Sequence, residues 1–71
     1  MGEWVWAPKR VAELRAQAGL NRSELGFKLM VGGFAVKNWE TGVNRPNAAN
    51  VARLANALGV TPQDFFVNKE E

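Results

Sequence analysis

The side chains of this chain that can do chemistry are basic and amide groups rather than nucleophiles or metal ligands. Among its 71 residues there is no His and no Cys, whereas Lys and Arg together number nine. Histidine is the commonest general base and metal ligand, and cysteine supplies thiolate ligands and disulfides. A nucleophile paired with a base therefore has few candidates. We accordingly expect a protein that is not an enzyme, holds no metal and needs no cofactor.

The net charge permits a polyanionic partner without demonstrating one. Nine basic against seven acidic residues give +2, and eight against five, once residues 69–71 are set aside, give +3. No apolar run approaches the roughly 20 residues of a membrane span. Glu3 and Pro8 interrupt the short apolar stretch near the amino end, which argues against a signal peptide. We therefore expect a cytoplasmic, nucleoid-associated protein with no membrane partner.

Helix-start and helix-end residues divide the chain into five short predicted helices and leave no segment that alternates long enough for a strand. Pro8 suits a first helical position and Gly19 a helix end, which predicts a helix over about 8–18. Asn21, with an acid three residues later, predicts a capping box and a helix over about 22–29. The remaining helices are predicted from Phe34 or Ala35 to Gly42, from Asn47 to Gly59, and from Thr61-Pro62 through Phe65 and Phe66.

The second and third predicted helices are joined by a tight turn, which is the helix-turn-helix layout. Gly26 lies where the second helix faces the third, so a small residue there lets the two backbones approach. The apolar positions expected to hold the pair at a fixed angle are Leu25, Leu29, Val31, Val36 and Trp39.

Three segments in this order and spacing resemble a known family: LNRSELGFKLMVG, VKNWETGVNRPN and VARLANALGVTPQDFF. Residues 10–66 are similar to the helix-turn-helix domain of phage repressors and Cro proteins, within the xenobiotic-response-element family of bacterial regulators. The resemblance implies an all-α, compact five-helix domain of the lambda-repressor type. We expect that domain at 8–67, preceded by an arm at 1–7 and followed by a tail at 68–71.

The resemblance also implies which residues contact DNA. The first exposed positions of the third helix contact base edges in this family, and here they are Gly33, Phe34, Lys37 and Asn38. Phosphate contacts fall at the start of the second helix and in the loop after the third, at Arg22, Thr41, Asn44, Arg45 and Asn47. Arg15 and Glu40 occupy positions that form an ion pair in some members.

Side-chain chemistry supports these roles but leaves alternatives open. Arg22 at a helix start is unfavourable for the helix dipole, and this favours a phosphate role over the alternative, a solvated surface arginine. Lys37 suits guanine acceptors and Asn38 suits adenine, yet both are also typical of a polar helix face. Phe34 either contacts a thymine methyl group or buries its ring in the core. Loop asparagines such as Asn47 often only satisfy turns and caps.

The turn departs from the family pattern at three positions. Met30 stands where glycine is common, Gly32 where a serine or threonine cap is common, and Gly33 where a long polar side chain is common. A one-residue shift of the turn and a frayed start of the third helix both stay open from the sequence.

Two tryptophans, Trp4 and Trp6, precede the first helix and lie outside the resemblance. We expect them to pack near Phe65 and Phe66 within the chain, since a core this small needs every large side chain. The alternative is a patch for a second copy or a protein partner. The only charged residue of the arm is Glu3, so the arm is not expected to contact DNA.

Two functions from different classes follow. The first is a repressor or Cro-like transcriptional regulator that binds a palindromic double-stranded DNA operator as a homodimer, with half-sites about 34–36 Å apart. The alternative is an antitoxin-type interaction module that neutralises a partner protein through the Trp4, Trp6, Phe65 and Phe66 region and binds DNA secondarily.

Overall fold

The computed structural model describes residues 2–69, which form four α-helices, one 3-10 turn and a two-stranded sheet. Met1, Glu70 and Glu71, at the outer ends of the predicted arm and tail, lie outside the described residues. The elements are β1 Trp4–Trp6, α1 Pro8–Gln17, α2 Arg22–Leu29, α3 Gly33–Thr41, α4 Ala48–Leu58, the 3-10 turn Pro62–Phe65 and β2 Phe66–Asn68.

The predicted helix ends at Asn21 and Asn47 are confirmed. The Asn21 side chain accepts a hydrogen bond from the Glu24 N–H at 2.7 Å, and the Glu24 carboxylate accepts one from the Asn21 N–H at 2.7 Å. The Asn47 carboxamide oxygen accepts from the Asn50 N–H at 2.8 Å. Each bond satisfies an N–H that a helix start would otherwise leave without a partner.

All four helices and the 3-10 turn contribute side chains to one core. The apolar stripe of α4 places Leu54 at its centre, where it is fully buried. The fully buried side chains are Val11, Leu25, Leu29, Val36, Leu54 and Phe65. No helix within residues 2–69 combines the length and the apolar character that crossing a bilayer requires.

The predicted fifth helix is wrong. Its predicted start is present, because the Asp64 carboxylate accepts hydrogen bonds from the Thr61 N–H at 2.9 Å and the Thr61 hydroxyl at 3.2 Å. The 3-10 turn nevertheless ends at Phe65, and Phe66 adopts extended angles, φ −111° and ψ 151°. The chain leaves the helical conformation there because its next residues pair with β1.

The expectation of no sheet is also wrong. β1 and β2 are antiparallel, with Trp4 opposite Asn68, Val5 opposite Val67 and Trp6 opposite Phe66. The Ala7 N–H extends the ladder by donating to the Phe65 carbonyl at 2.8 Å. Three residues are too few for an alternating pattern to be recognised, and the partner strand lies some 60 residues away. The paired segments form the two ends of the described chain.

The turn between α2 and α3 is tight, and α3 begins at Gly33, one residue before the earlier of the two predicted starts. Met30 adopts the left-handed conformation, φ 60°, which explains why glycine is common at this position of the family. The Val31 N–H donates to the Gly26 carbonyl at 2.8 Å. A Cβ atom on Gly26 would lie 2.8 Å from the Val31 oxygen and 3.0 Å from the Gly32 carbonyl carbon. The expected close approach of the two backbones at Gly26 is therefore confirmed.

Gly26→Ala is expected to destabilise the fold by about 1–2 kcal/mol, since the clash with backbone atoms outweighs the higher helix propensity of alanine. Gly32→Ala is the matched control, because the nearest atom to a Cβ there is 3.9 Å away. Urea denaturation of both variants measures the difference. A Gly26→Ala variant at least as stable as the parent would contradict the assignment of this contact.

Candidate nucleic-acid interface

The helix α3 has one buried face and one exposed face. Val36 and Trp39 point into the core, whereas Phe34 and Lys37 are exposed and Asn38 is half-buried. The Phe34 side chain is 71% exposed, so the interpretation of Phe34 as a core residue is wrong. The Lys37 ammonium nitrogen lies 5.9 Å from the centroid of the Phe34 ring, within cation–π range. The exposed face therefore presents an aromatic ring, an ammonium group and an amide side by side.

The first turn of α3 packs closely against the first turn of α2. A Cβ atom on Gly33 would lie 3.2 Å from the Ser23 hydroxyl oxygen and 3.3 Å from its Cα. Gly33 therefore contributes close packing at the predicted base-contact surface rather than a side chain. The same approach brings the amino end of α3 near Arg22 at the amino end of α2.

A buried carboxylate, Glu40, joins the three helices that build this surface. Its side chain is 1% exposed and accepts hydrogen bonds from two arginines. Arg15 donates from Nε to Oε2 at 2.5 Å and from Nη2 to Oε1 at 3.2 Å. Arg22 donates from Nε to Oε1 at 2.9 Å. Because Arg15 lies on α1, Arg22 on α2 and Glu40 on α3, one carboxylate sets the relative positions of all three.

The two arginines lower the pKa of the Glu40 carboxyl below its ordinary value. Burial of the carboxyl group is the largest single effect and raises its pKa. The hydrogen bonds from Arg15 and Arg22 and their positive charges together outweigh burial, so the net shift is downward. The hydrogen bond to Glu40 raises the pKa of Arg15 in turn, against a smaller opposing effect of burial. The carboxylate is therefore ionised and paired at neutral pH.

Arg22 combines a structural bond with exposure. Its side chain is 42% exposed. Among the described residues, Arg22 forms its side-chain hydrogen bond through Nε. The Nη groups remain for an anion at the start of α2. The sequence did not predict the hydrogen bond from Arg22 to Glu40, because the two residues are 18 positions apart and share no local pattern.

The last residue of α3 and the loop between α3 and α4 carry the other predicted phosphate contacts. The Thr41 hydroxyl donates to the Lys37 carbonyl at 2.9 Å, and the Asn44 N–H donates to the Asn38 carbonyl at 3.4 Å. The side chains of Thr41, Asn44, Arg45 and Asn47 all belong to exposed residues. Thr41 and Asn47 thus already serve the helix ends, while remaining at the surface.

The Arg45 guanidinium lies against two aromatic rings. Its Cζ atom is 5.1 Å from the centroid of the Trp6 ring and 5.1 Å from that of Phe66. Trp6 also contacts Phe65, with centroids 5.6 Å apart. The expected packing of Trp6 near Phe65 and Phe66 within the chain is confirmed, whereas Trp4 stays 55% exposed.

A model of the helix-turn-helix family matches residues 11–65. The chain belongs to that family. Its members of the xenobiotic-response-element type are DNA-binding transcription regulators, so the resemblance noted from the sequence is confirmed. A comparison with curated proteins found no significant match.

Solved structures share the fold of this helix-turn-helix protein. The P22 c2 repressor in complex with a synthetic operator is 27% identical, with 78% of this chain and 83% of that chain covered and a TM-score of 0.74. The restriction-modification controller protein C.AhdI from Aeromonas hydrophila is 30% identical, with 83% and 89% covered and a TM-score of 0.78. The FeII form of HppE with substrate is 20% identical, with 84% of this chain but 35% of that chain covered and a TM-score of 0.79, and it shows the fold alone.

Glu40→Gln is expected to destabilise the protein by about 2–3 kcal/mol at pH 7, since both arginines lose a charged acceptor. The pKa of Glu40 is lower in the folded state than in the unfolded state. Its contribution to the free energy of unfolding is therefore complete above the ordinary pKa of about 4.3 and is lost as pH falls through the lowered pKa. The variant should therefore lose part of the acid-induced destabilisation that is expected for the parent. Denaturation at pH 7 and across the acid range measures both effects.

The control is Glu13→Gln, which removes a carboxylate paired with Arg10 at 2.8 Å on the exposed surface. Exposed pairs of this kind contribute little, so this variant should unfold nearly as the parent does. Equal stability losses in the two variants would show that Glu40 has no special role.

Proposed function

We propose that this helix-turn-helix protein is a sequence-specific transcriptional regulator, repressor or Cro-like, that places α3 in the major groove of operator DNA. The observation that carries the proposal is the exposed face of α3, where Phe34, Lys37 and Asn38 lie together on a helix whose other face is buried. The operator complex of the P22 c2 repressor, similar over 78% of this chain, supports it.

The exposed face of α3 contains groups suited to base edges. The ammonium group of Lys37 matches guanine acceptors, the amide of Asn38 matches the donor and acceptor of adenine, and the ring of Phe34 matches a thymine methyl group. Gly33 adds a close backbone approach without a side chain. The proposed base-contact residues are therefore Gly33, Phe34, Lys37 and Asn38.

The proposed phosphate contacts flank this face on two sides. Arg22 lies at the start of α2, where backbone N–H groups and exposed guanidinium nitrogens both favour an anion. The exposed residues Thr41, at the end of α3, and Asn44, Arg45 and Asn47, in the loop that follows, complete the proposed set. Phosphate contacts of this kind set the register of the protein on the duplex, and base contacts set the sequence preference.

We further propose that residues 8–67 act as the DNA-binding domain and that two copies bind a palindromic operator. One recognition helix covers few base pairs, so a second copy one helical turn away, about 34–36 Å, supplies the missing specificity. Of the four aromatic residues of the alternative partner surface, Phe65 is fully buried, Trp6 packs against Phe65 and Phe66, and Trp4 is exposed. We therefore place the regulator before the antitoxin-type module.

Selection of bound duplexes from a random pool is the direct test, followed by affinity measurements on the selected operator and on a scrambled duplex. Lys37→Ala is expected to cost about 1–3 kcal/mol on the operator and much less on the scrambled duplex. Arg22→Ala is expected to weaken both duplexes alike and to lower the salt slope by about one unit. It should also lower the stability of the fold, because Arg22 donates to Glu40, so its affinities are measured well below its melting temperature. Lys28→Ala, an exposed lysine of α2 outside the site, is the control of equal charge. If no sequence is enriched, the proposal fails.

Replacing thymine by uracil in the operator tests the role of Phe34. At the position that Phe34 contacts, loss of the methyl group should cost about 0.8 kcal/mol, or roughly fourfold in affinity. Phe34→Ala should weaken binding to the thymine operator and abolish the difference between the two bases. Phe27→Ala, which removes a phenylalanine that is 84% exposed on α2, should leave that difference intact. A Phe34→Ala variant that still distinguishes thymine from uracil at every position would exclude this contact.

A further inference from the structure

The two terminal strands lie entirely outside the residues that the family model matches, yet they contact a residue of the proposed interface. The match covers residues 11–65, whereas β1 spans Trp4–Trp6 and β2 spans Phe66–Asn68. Trp6 and Phe66 are directly opposite in the antiparallel register, so their rings share one face of the sheet. The centroids are 5.6 Å apart with an interplanar angle of 81°, an edge-to-face pair.

The Arg45 guanidinium lies 5.1 Å from both of these ring centroids. A cation within about 6 Å of an aromatic ring face is attracted by the ring quadrupole, and tryptophan is the strongest partner. Among residues 2–69 no carboxylate forms an ion pair with Arg45. The rings of Trp6 and Phe66, together the aromatic pair, therefore hold this side chain in place.

An arginine that lies close to aromatic rings can still form hydrogen bonds. A guanidinium carries five N–H donors, and its attraction to the rings comes from its charge, so N–H groups of Arg45 can donate to a phosphate. Arg45 is an exposed residue in the loop that follows α3. An arginine ordered before DNA arrives loses less rotamer entropy on contact with a phosphate than a free one.

The choice of tryptophan at position 6 also favours a role beyond space filling. The Trp6 Nε1 atom is buried and has no hydrogen-bond partner among the described residues. A buried N–H without a partner is unfavourable, and a phenylalanine would fill this place without that cost. A large ring face for a cation is what tryptophan supplies best.

We propose that the aromatic pair of the terminal sheet positions Arg45 for a DNA phosphate, so that β1 and β2 are part of the DNA-binding machinery. Trp6 and Phe66 are positioning residues that act through Arg45 and touch no DNA themselves. The inference rests on the proposed function, since it requires the loop after α3 to lie on the DNA backbone.

A double-mutant cycle on DNA affinity tests this proposal. Trp6→Leu is expected to weaken binding to the operator and to a scrambled duplex alike, by about threefold to fivefold, because the affected contact is to a phosphate. In the Arg45→Ala background the same substitution should have no further effect on either affinity. Trp6→Phe, which keeps a ring face, should restore most of the binding. Trp4→Leu is the matched control, a tryptophan of the same strand that is 55% exposed.

Equal losses from Trp6→Leu with and without Arg45 would overturn the proposal, and so would no loss in either background. Should Trp6→Leu melt below the assay temperature, Phe66→Leu takes its place in the cycle.

A measurement on the unmodified protein adds a second test that needs no variant. The δ protons of Arg45 should resonate upfield of those of the other arginines in NMR spectra of the free protein, and ordinary shifts would overturn the contact itself. If the unmodified protein binds no DNA, the proposed function fails. If it binds DNA and the cycle shows no coupling, this inference alone fails.

Discussion

The buried carboxylate of Glu40 is the constraint on which the rest of the interface depends. Two arginines from two other helices donate to it, so α1, α2 and α3 cannot rotate independently without leaving a charge unpaired in the interior. A buried ion pair of this type adds less stability than an apolar contact of equal size, but breaking one partner is strongly unfavourable. The main effect of the pair is therefore on the geometry of the helices rather than on the stability of the fold. It holds the exposed face of α3 at one angle to Arg22, which shares the same carboxylate.

Close backbone packing completes what Glu40 begins. Gly26 allows the turn after α2 to lie against the helix, and Gly33 allows the first turn of α3 to approach Ser23. Met30 accepts a left-handed conformation between them, which is unfavourable for a side chain with a Cβ atom. Met30 is 86% exposed and adds little packing in return. This turn therefore tolerates a local cost because the surrounding helices determine its path.

A two-stranded sheet closes the helical domain at the place where a fifth helix was predicted. By ending the 3-10 turn at Phe65, the chain buries that ring fully and places Phe66 beside Trp6 on the sheet face. Arg45 then lies against both rings. The loop after α3 is thereby connected to both ends of the described chain, which makes the terminal strands relevant to the loop that we propose contacts phosphate.

Local signals in the sequence predicted the four helices, the side-chain caps of α2 and α4, and the family. Asn21 with Glu24, and Asn47, act on N–H groups three residues away, so their effect does not depend on the remainder of the fold. The exposed position of Phe34, the bond from Arg22 to Glu40 and the strands at Trp4–Trp6 and Phe66–Asn68 were decided only by tertiary structure. Each of these depends on residues far apart in the chain. Burial of Phe34 depends on which helices cover it, a charged pair depends on how three helices meet, and a three-residue strand gains its conformation from its partner rather than from its own sequence.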